Sequence, residues 1–342
     1  MQTTIQIKLL PNKEQCSILK ATMKSYVALV NECVGDMVTF DEYGKLTSKN
    51  VEANLPSALK NQCISDAKSI FRKYRKTKIE PVLRKPVAVW NNQNYKVTAD
   101  SISFPVFLNG KTTRISVKAL IPADVLDVLQ THKLGAMRIT QKSGKFIAQI
   151  AVEAEQKALF GSGVMGVDLG ILCPAVCYTD SGKVKFVGNG RKNKFIRRRF
   201  KTKRKKLGKA KKLKAIRKLH NKEQRIMRDI DHKLSREIVS FAVQNKVGII
   251  KLEKLANIRR TTRKSRKNNP SLHTWSFYRL ANYIEHKAKL LGIQVEYVDP
   301  AYTSQTCPVC GKRHKTNNRN YRCECGYRSH RDLVGAKNIC AA

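Results

Sequence analysis

Hydrophobic and polar positions change their spacing twice in the first half of the chain. Residues 3–9 alternate as in a β-strand, and a stretch from Pro11 to about residue 36 carries its apolar side chains at helical spacing. A second helical segment runs from about 56 to 77, and residues 84–157 then break into short β-like runs separated by turns such as NQN, NGK and SGK. This order predicts a small β-barrel into which helices are inserted.

A different pattern begins near Gly163, where three strand candidates follow one another across short turns. Residues 191–245 are almost free of Gly and Pro and are predicted to be helical; a strand at 247–252, a helix at 274–291 and a strand at 293–298 follow. A mixed β-meander followed by helices is the opening of an RNase H-like sheet. The pattern predicts a multidomain α+β or α/β chain with an amino-terminal barrel and an RNase H-like domain.

The chain is strongly basic, because 68 Lys and Arg stand against 25 Asp and Glu, a formal net charge of +43. Such an excess repels itself unless a polyanion neutralises it, and nucleic acid is the obvious partner. The sequence has no apolar run of about 18 residues and no amphipathic anchor, so membrane binding is not expected. The amino terminus lacks the features of a signal peptide, which predicts a cytosolic protein.

The most basic part of the chain runs from Arg191 to Lys222 and is called the basic segment below. It holds 18 Lys and Arg and no acid, so stabilising i,i+4 ion pairs cannot form and like charges repel. A solvated helix face is the ordinary alternative, but we favour a helical hairpin that contacts phosphates. A second basic stretch, 259–271, is also predicted to contact phosphate. The candidate contacts of the basic segment are Arg197, Arg198, Arg199, Lys205, Lys206, Lys212 and Arg217.

Four cysteines near the carboxyl end have the spacing of a metal site. They form one Cys-x-x-Cys pair and one Cys-x-Cys pair, each followed by a glycine that lets the backbone turn so that amides point at sulfur. This pattern predicts one structural Zn²⁺ held by Cys307, Cys310, Cys323 and Cys325. His314 or His330 remains an alternative ligand, and two disulfides are not expected in a reducing cytosol. The other six cysteines sit in apolar surroundings and are predicted to be reduced core residues.

Three carboxylates stand at positions that suggest a second metal site. Asp168 interrupts an apolar strand, Glu253 ends another, and Asp332 follows the cysteines. Taken singly, Asp168 is interpreted equally well as a turn residue and Glu253 equally well as a surface glutamate, whereas for Asp332 a helix cap is the better interpretation. Together they match the convergent acids that hold two divalent cations about 4 Å apart, Mg²⁺ or Mn²⁺, for phosphodiester hydrolysis. The sequence contains no Ser-His-Asp set, Walker loop or dinucleotide fingerprint that would compete with this interpretation.

Four motifs resemble the TnpB proteins, transposon-associated RNA-guided DNA nucleases that are related to type V CRISPR effectors and carry a RuvC-type nuclease domain. They are GVDLG at 166–170, KLEKL at 251–255, DPAYTSQTCPVCG at 299–311 and CGYRSHRDLVGAKNI at 325–339. The resemblance implies that Asp168, Glu253 and Asp332 are the catalytic acids. It also implies a wedge barrel at 1–10 and 80–160, a helical recognition insertion at 11–79, a RuvC-like domain at 161–302 and 331–342, and a zinc-binding knuckle at 303–330.

The resemblance further implies an activity and partners. The expected function is cleavage of double-stranded target DNA beside a short motif, directed by a guide RNA from the transposon end, in a cytoplasmic, nucleoid-associated prokaryotic protein. Two alternatives are a guide-dependent DNA-binding protein or transposition regulator that does not cut, and a transposase that joins strands. The chain departs from many relatives in having Val334 and Gly335 in place of Asn-Ala, and Cys323 and Cys325 one residue closer than usual. Neither departure removes a predicted metal ligand.

Overall fold

The computed structural model describes residues 2–79, 81–153, 158, 161–255, 269–316 and 318–342. The chain divides into two compact units, Met1–Ala154 and Glu155–Ala342. Each unit has its own buried core, and each is described separately below.

The first unit is a seven-stranded antiparallel sheet with three helices. The strands are β1 (Gln2–Leu9), β2 (Val87–Trp90), β3 (Lys96–Val97), β4 (Ser101–Leu108), β5 (Lys111–Leu120), β6 (Leu134–Lys142) and β7 (Lys145–Glu153). Their order in the sheet is β2-β6-β7-β1-β5-β4-β3. The helices are α1 (Lys13–Phe40), α2 (Ser57–Thr77) and α3 (Ala123–Thr131). Since β1 pairs with both β5 and β7, the helices α1 and α2 interrupt the chain between strands of one sheet, as the sequence pattern predicts.

The helix α1 begins and continues for identifiable reasons. The Asn12 side chain accepts from the backbone N–H of Gln15, whose side chain accepts from the Asn12 backbone, which is a capping box. The helix ends at Phe40, beyond the predicted end near residue 36, because Met37 keeps the buried helical spacing and the chain leaves at Asp41 with φ of 50°. The assignment of this unit as a wedge barrel with a recognition insertion stays a prediction.

The second unit contains a mixed five-stranded sheet. Its strands are β8 (Gly163–Asp168), β9 (Ala175–Thr179), β10 (Val184–Val187), β11 (Val247–Glu253) and β12 (Gln294–Val298), in the order β10-β9-β8-β11-β12. The first three strands form an antiparallel meander, and β11 pairs in parallel with β8 and β12. The predicted meander and the two later strands are therefore confirmed.

Six helices complete the described part of this unit. They are α4 (Gly190–Lys209), α5 (Leu213–Leu219), α6 (Lys222–Gln244), α7 (Asn269–Thr274), α8 (Phe277–Leu290) and α9 (Arg331–Ala341). The helix predicted at 274–291 begins only at Phe277, since the preceding turn belongs to a separate short helix. A short sheet of β13 (Asn320–Arg322) and β14 (Arg328–His330) lies within the knuckle.

The central strand β8 contacts different helices on its two faces. Met165 and Val167 belong to the apolar core that includes α6 and α8. The alternate residue Gly166 faces α9, where an added Cβ would lie 2.2 Å from the Ala336 carbonyl oxygen. Successive residues of a strand point to opposite faces, so Asp168 shares the face of Gly166. This alternation places Asp168 between the sheet and α9.

Candidate active site

Two of the predicted acids end neighbouring strands. Asp168 is the last residue of β8, and Glu253 is the last residue of β11. The two strands run parallel with Leu252 opposite Val167, so the next residue of each strand reaches the same level of the sheet. The carboxyl ends of parallel strands form the edge at which ligands bind in open α/β sheets. Both carboxylates therefore share one edge.

The third acid, Asp332, lies buried in the first turn of α9. The alternative that Asp332 only caps this helix is wrong, because His330 holds the cap position and its Nδ1 accepts from the Asp332 backbone N–H at 3.3 Å. The Asp332 carboxylate instead accepts hydrogen bonds on both oxygens from Nη1 of Arg319, a residue of the knuckle. Its side chain thus faces the site and the knuckle, away from the helix end.

The three carboxylates lie close enough to repel one another. Burial raises the pKa of Asp168 well above its ordinary value, the charges of Glu253 and Asp332 raise it further, and Arg319 and Arg331 lower it. Burial also raises the pKa of Glu253. Like charges held together in a buried site disfavour the ionised form unless a cation neutralises them.

The donor set at this edge fits a divalent cation. Carboxylate oxygens are the hard ligands that Mg²⁺ and Mn²⁺ prefer, and such an ion relieves the repulsion among Asp168, Glu253 and Asp332. The alternative that Glu253 is a surface glutamate is wrong, since only 9% of the residue is exposed. The buried acids therefore suit a metal better than they suit a solvated surface.

A hydrogen-bonded loop that contains Thr303 and Thr306 connects the end of β11 to α9. Thr303 donates through Oγ1 to Oε1 of Glu253, which lowers the pKa that burial raises. Asn338 on α9 donates through Nδ2 to the carbonyl oxygens of Thr303 and Thr306, at 2.7 Å each. Sequence reasoning assigned no role to Thr303 or Asn338. The sequence feature that could have indicated a role is the amide side chain of Asn338, on the same short helix as Asp332.

Gly335 gives Asp168 room beside α9. An added Cβ at Gly335 would lie 3.2 Å from Oδ2 of Asp168, closer than most Cβ contacts. The departure from the alanine of many relatives therefore falls at a position that touches a predicted catalytic acid. The neighbouring Val334 points elsewhere, into a buried cluster with Cys307 and Tyr321.

The four predicted zinc cysteines meet at one point, which confirms the grouping made from their spacing. The Sγ atoms of Cys307, Cys310, Cys323 and Cys325 all lie within 4.8 Å of one another. All four are free thiols in the structure. His314 and His330 are not members of this group. We call these four residues the cysteine cluster.

Two tight turns build the cysteine cluster. Gly311 and Gly326, which follow the two pairs, take φ values of 72° and 87°, in the left-handed region that glycine adopts without strain. Burial alone raises the pKa of the Cys307 thiol, but the backbone N–H groups of Cys310 and Val309 lower it to about 7. Amides that stabilise a thiolate are what a tetrahedral zinc site requires.

The basic segment forms two contacting helices, α4 and α5, joined by a turn at which Lys211 has φ of 50°. This agrees with the predicted hairpin. Among the named candidates, Arg197 differs, because it is half-buried and its Nη1 lies 3.9 Å from Oε1 of Glu223. The other candidates are exposed: Arg198, Arg199, Lys205, Lys206, Lys212 and Arg217. The second basic stretch lies outside the described residues up to position 268.

Two family models match the second unit. A model described as a probable transposase, OrfB of the IS605 type, matches residues 148–259, and the Cas12f1-like TNB domain matches residues 277–339. Together they span more than half of the chain. A TnpB-like protein of Methanocaldococcus jannaschii is 38% identical over 149 residues, which cover 42% of this chain and 53% of that protein. Over these regions the chain is similar to the TnpB family.

Other comparisons extend the likeness to the first unit. The CRISPR-associated endodeoxyribonuclease Cas12f1 of Syntrophomonas palmitatica is 24% identical, over 85% of this chain and 68% of its own length. A cryo-EM structure of a Cas12f1–sgRNA–target DNA complex matches with a TM-score of 0.72 at 16% identity, over 96% of this chain and 83% of that chain. At this identity the match shows the fold alone, an α+β multidomain fold that this chain shares with that Cas12f1 structure.

The chain spans about half the length of several curated relatives that it matches. In the portions of the chain that the structure describes, no helix has the length and apolarity needed to cross a bilayer.

Proposed function

We propose that the protein is an RNA-guided DNA endonuclease that hydrolyses phosphodiester bonds in a RuvC-type site. The observation that carries the proposal is the meeting of Asp168, Glu253 and Asp332 at one edge of the sheet, with raised pKa values for the first two. It is supported by a relative named as an endodeoxyribonuclease and by the fold of a protein solved with guide RNA and target DNA. Intact acids favour cutting over the alternative of a regulator that only binds.

The carboxylates of Asp168, Glu253 and Asp332 would hold the Mg²⁺ or Mn²⁺ ions. Such ions, when bound, supply positive charge that favours attack by water on the phosphodiester and departure of the 3′ oxygen. The protein's other residues position these carboxylates. Thr303 orients the Glu253 carboxylate, and Arg319 holds the Asp332 carboxylate from the side of the knuckle. No protein nucleophile is required.

The cysteine cluster is proposed to hold one structural Zn²⁺. Four thiol ligands fill a tetrahedral site and leave no open position for catalysis. The buried contact of Cys307 and Tyr321 with Val334 supports a role in fixing α9, the helix that carries Asp332. The knuckle is therefore proposed as a fold element of the nuclease domain.

The partners and the layout of the first unit are part of the same proposal. The basic segment would contact phosphates of a guide RNA from the transposon end and of its heteroduplex with target DNA. The first unit would supply the wedge barrel and the recognition insertion. Base pairing would then carry most of the sequence specificity, so the protein need read only shape and a short motif.

The proposal is tested by expressing the chain with its neighbouring genomic DNA and sequencing the RNA that copurifies. The ribonucleoprotein is then given a plasmid that carries a matching target beside a randomised flank. Cleavage that depends on guide, flank and divalent cation supports the proposal. Target binding without cleavage supports the regulator, and strand joining supports the transposase.

Removing one hydroxyl is expected to weaken cleavage without unfolding the protein. Thr303→Val keeps the shape of the side chain but leaves Glu253 without its donor. A hydrogen bond to a charged group contributes about 1.5–3 kcal/mol, so we expect guided cleavage to slow by about 10- to 100-fold. Thr303→Ser is the matched control and should retain most of the rate. Equal single-turnover rates for Thr303→Val and wild type would contradict the positioning role.

Charge reversal in the basic segment is expected to weaken nucleic-acid binding whatever the guide sequence. Arg198, Lys205 and Lys212 are all exposed, and each phosphate contact contributes roughly 0.7 to 0.9 to the slope of log affinity against log salt. The triple substitution to Glu should lower both affinity and slope in a filter-binding titration. Three exposed lysines outside the segment, Lys183, Lys233 and Lys246, provide a matched control. A slope unchanged in the first triple variant would refute phosphate binding by these residues.

A further inference from the structure

A cavity of about 310 Å³ lies between α4 and the body of the second unit. Its walls come from α4, from α6, from the loop that follows β8, and from the junction between α7 and α8. This volume is at the lower end of the range for small-ligand sites, roughly 300–1,000 Å³. The cavity therefore suits a ligand of the size of a single nucleotide, and it is too small for a duplex.

One wall of the cavity is a basic helix face. The cations recur at the i, i+3, i+4 and i+7 spacing that brings side chains onto one side of α4. They are Lys194, Arg197, Arg198, Lys201 and Arg204. Arg204 pairs with Glu223 at 2.7 Å, and Arg197 lies 3.9 Å from the same carboxylate. Within the described chain, Lys194, Arg198 and Lys201 form no ion pair, so the wall carries positive charge that is open to an anion.

The other acid that lines the cavity, Asp231, is already neutralised. Asp231 is only 2% exposed and accepts from Nε of Arg279 at 2.7 Å and from Oγ of Ser276 at 3.2 Å. Its charge therefore does not cancel the basic face of α4. The apolar part of the lining includes Trp275, which is half-buried and packs against Phe277 with ring centroids 5.1 Å apart.

The cavity adjoins the carboxylate edge. Gly170, Ile171 and Pro174 line it, and Gly170 follows Asp168 by two positions. A Cβ added at Gly170 would lie 4.0 Å from Oδ2 of Asp332. A ligand in the cavity is therefore held beside the loop that connects it to the acids.

We propose that this cavity holds one unstacked nucleotide of the single strand that is presented to the carboxylates. The base packs against Trp275, and the phosphates contact Lys194, Arg198 and Lys201. Aromatic stacking combined with a basic groove is the general way in which proteins hold single strands without reading sequence. The inference rests on the proposed nuclease function, because it assigns the ligand to the strand that is cut.

The test uses the intrinsic fluorescence of the full-length protein without added divalent cation, so that no cutting occurs. The chain has two tryptophans, and Trp90 is fully buried in the first unit, which leaves Trp275 as the accessible reporter. The probes are a five-residue oligothymidylate, an abasic oligomer of the same length, and free thymidine monophosphate. The oligothymidylate is expected to quench Trp275 saturably and to bind about 5- to 100-fold more tightly than the abasic oligomer.

Two variants separate stacking from general charge attraction. Trp275→Phe should abolish the quenching, and the double variant Lys194→Gln with Lys201→Gln should weaken binding severalfold. Lys183→Gln with Lys246→Gln is the matched control, since both lysines are exposed, lie outside the basic segment and do not line the cavity. Equal affinity for the abasic oligomer, undiminished quenching in Trp275→Phe, or equal effects of the lysine variants would overturn the proposal.

Free thymidine monophosphate that binds as tightly as the oligomer would overturn the assignment to a strand and indicate a free-nucleotide site. Failure of this proposal and failure of the nuclease proposal give different results. Guided cleavage that persists while quenching is absent removes only the nucleotide site. Quenching that persists in a protein that never cuts removes the nuclease function and with it the assignment to a cut strand.

Discussion

Alanine in place of Asp168, Glu253 or Asp332 is expected to abolish guided DNA cleavage, with a loss of at least about 100-fold for each single variant. The reason is that metal-assisted charge stabilisation contributes several kcal/mol to such a reaction, and each tenfold in rate corresponds to about 1.4 kcal/mol. Binding of guide RNA and target should change little, because the acids hold cations and repel phosphate. Plasmid cleavage assays test the expected loss of activity, and filter binding on the same preparations tests whether guide and target binding are retained.

Two control variants test whether the loss of cleavage comes from the loss of these particular carboxylates. Asp168→Asn keeps the shape of the side chain and removes one of three mutually repelling charges, so the melting temperature without divalent cation should not fall. Glu237→Ala removes an exposed carboxylate that pairs with Lys185 on the surface and should leave cleavage unchanged. Wild-type cutting by any of the three alanine variants would rule out the proposed site.

Loss of the proposed zinc site is expected to have the second large effect. Elemental analysis should find about one zinc per chain in the wild type and much less in Cys310→Ser. Binding of a structural zinc contributes to folding directly, so its loss should unfold the knuckle. Guided cleavage should then fall by at least about tenfold, since Arg319 of the knuckle contacts Asp332 and Cys307 packs with Val334 of the same helix.

The matched control for the zinc prediction is Cys340→Ser. Cys340 is a buried thiol outside the cysteine cluster, so its replacement tests the cost of a buried hydroxyl without touching a proposed ligand. Cleavage and zinc content should stay closer to wild type than in Cys310→Ser. Full activity of a wild-type protein that contains no zinc would contradict the structural role of the cluster.

Local patterns in the sequence predict much of the second unit. Alternation and apolar runs predict the meander and the strands β11 and β12, and paired spacing predicts the cysteine cluster. Both patterns act over a few residues, where side-chain period and turn geometry decide the outcome. Asp168 is also detectable from a few neighbouring residues, because a charged side chain within an apolar strand requires a partner.

Contacts between distant parts of the chain were not predictable in the same way. The hydrogen bonds of Thr303 with Glu253 and of Asn338 with Thr303 join residues that lie 50 and 35 positions apart. The pairing of Arg319 with Asp332 depends on how the knuckle folds back onto α9. The opening of α8 at Phe277 also went unforeseen, because helical periodicity continues through the short helix α7.

The close approach of α9 to β8 has a consequence for how this site tolerates evolutionary change. At Gly166 the backbone of β8 nearly touches the backbone of α9, and Gly335 of α9 lies against the side chain of Asp168, so the spacing between Asp168 and Asp332 depends on two positions without side chains. Neither glycine carries a functional group, yet both help to set the distance between the acids. A search for important residues that considers only reactive groups would overlook them. A lineage that acquires a side chain at Gly166 must move α9, because the backbone of Ala336 lies in the way, whereas at Gly335 a small shift of the Asp168 side chain suffices.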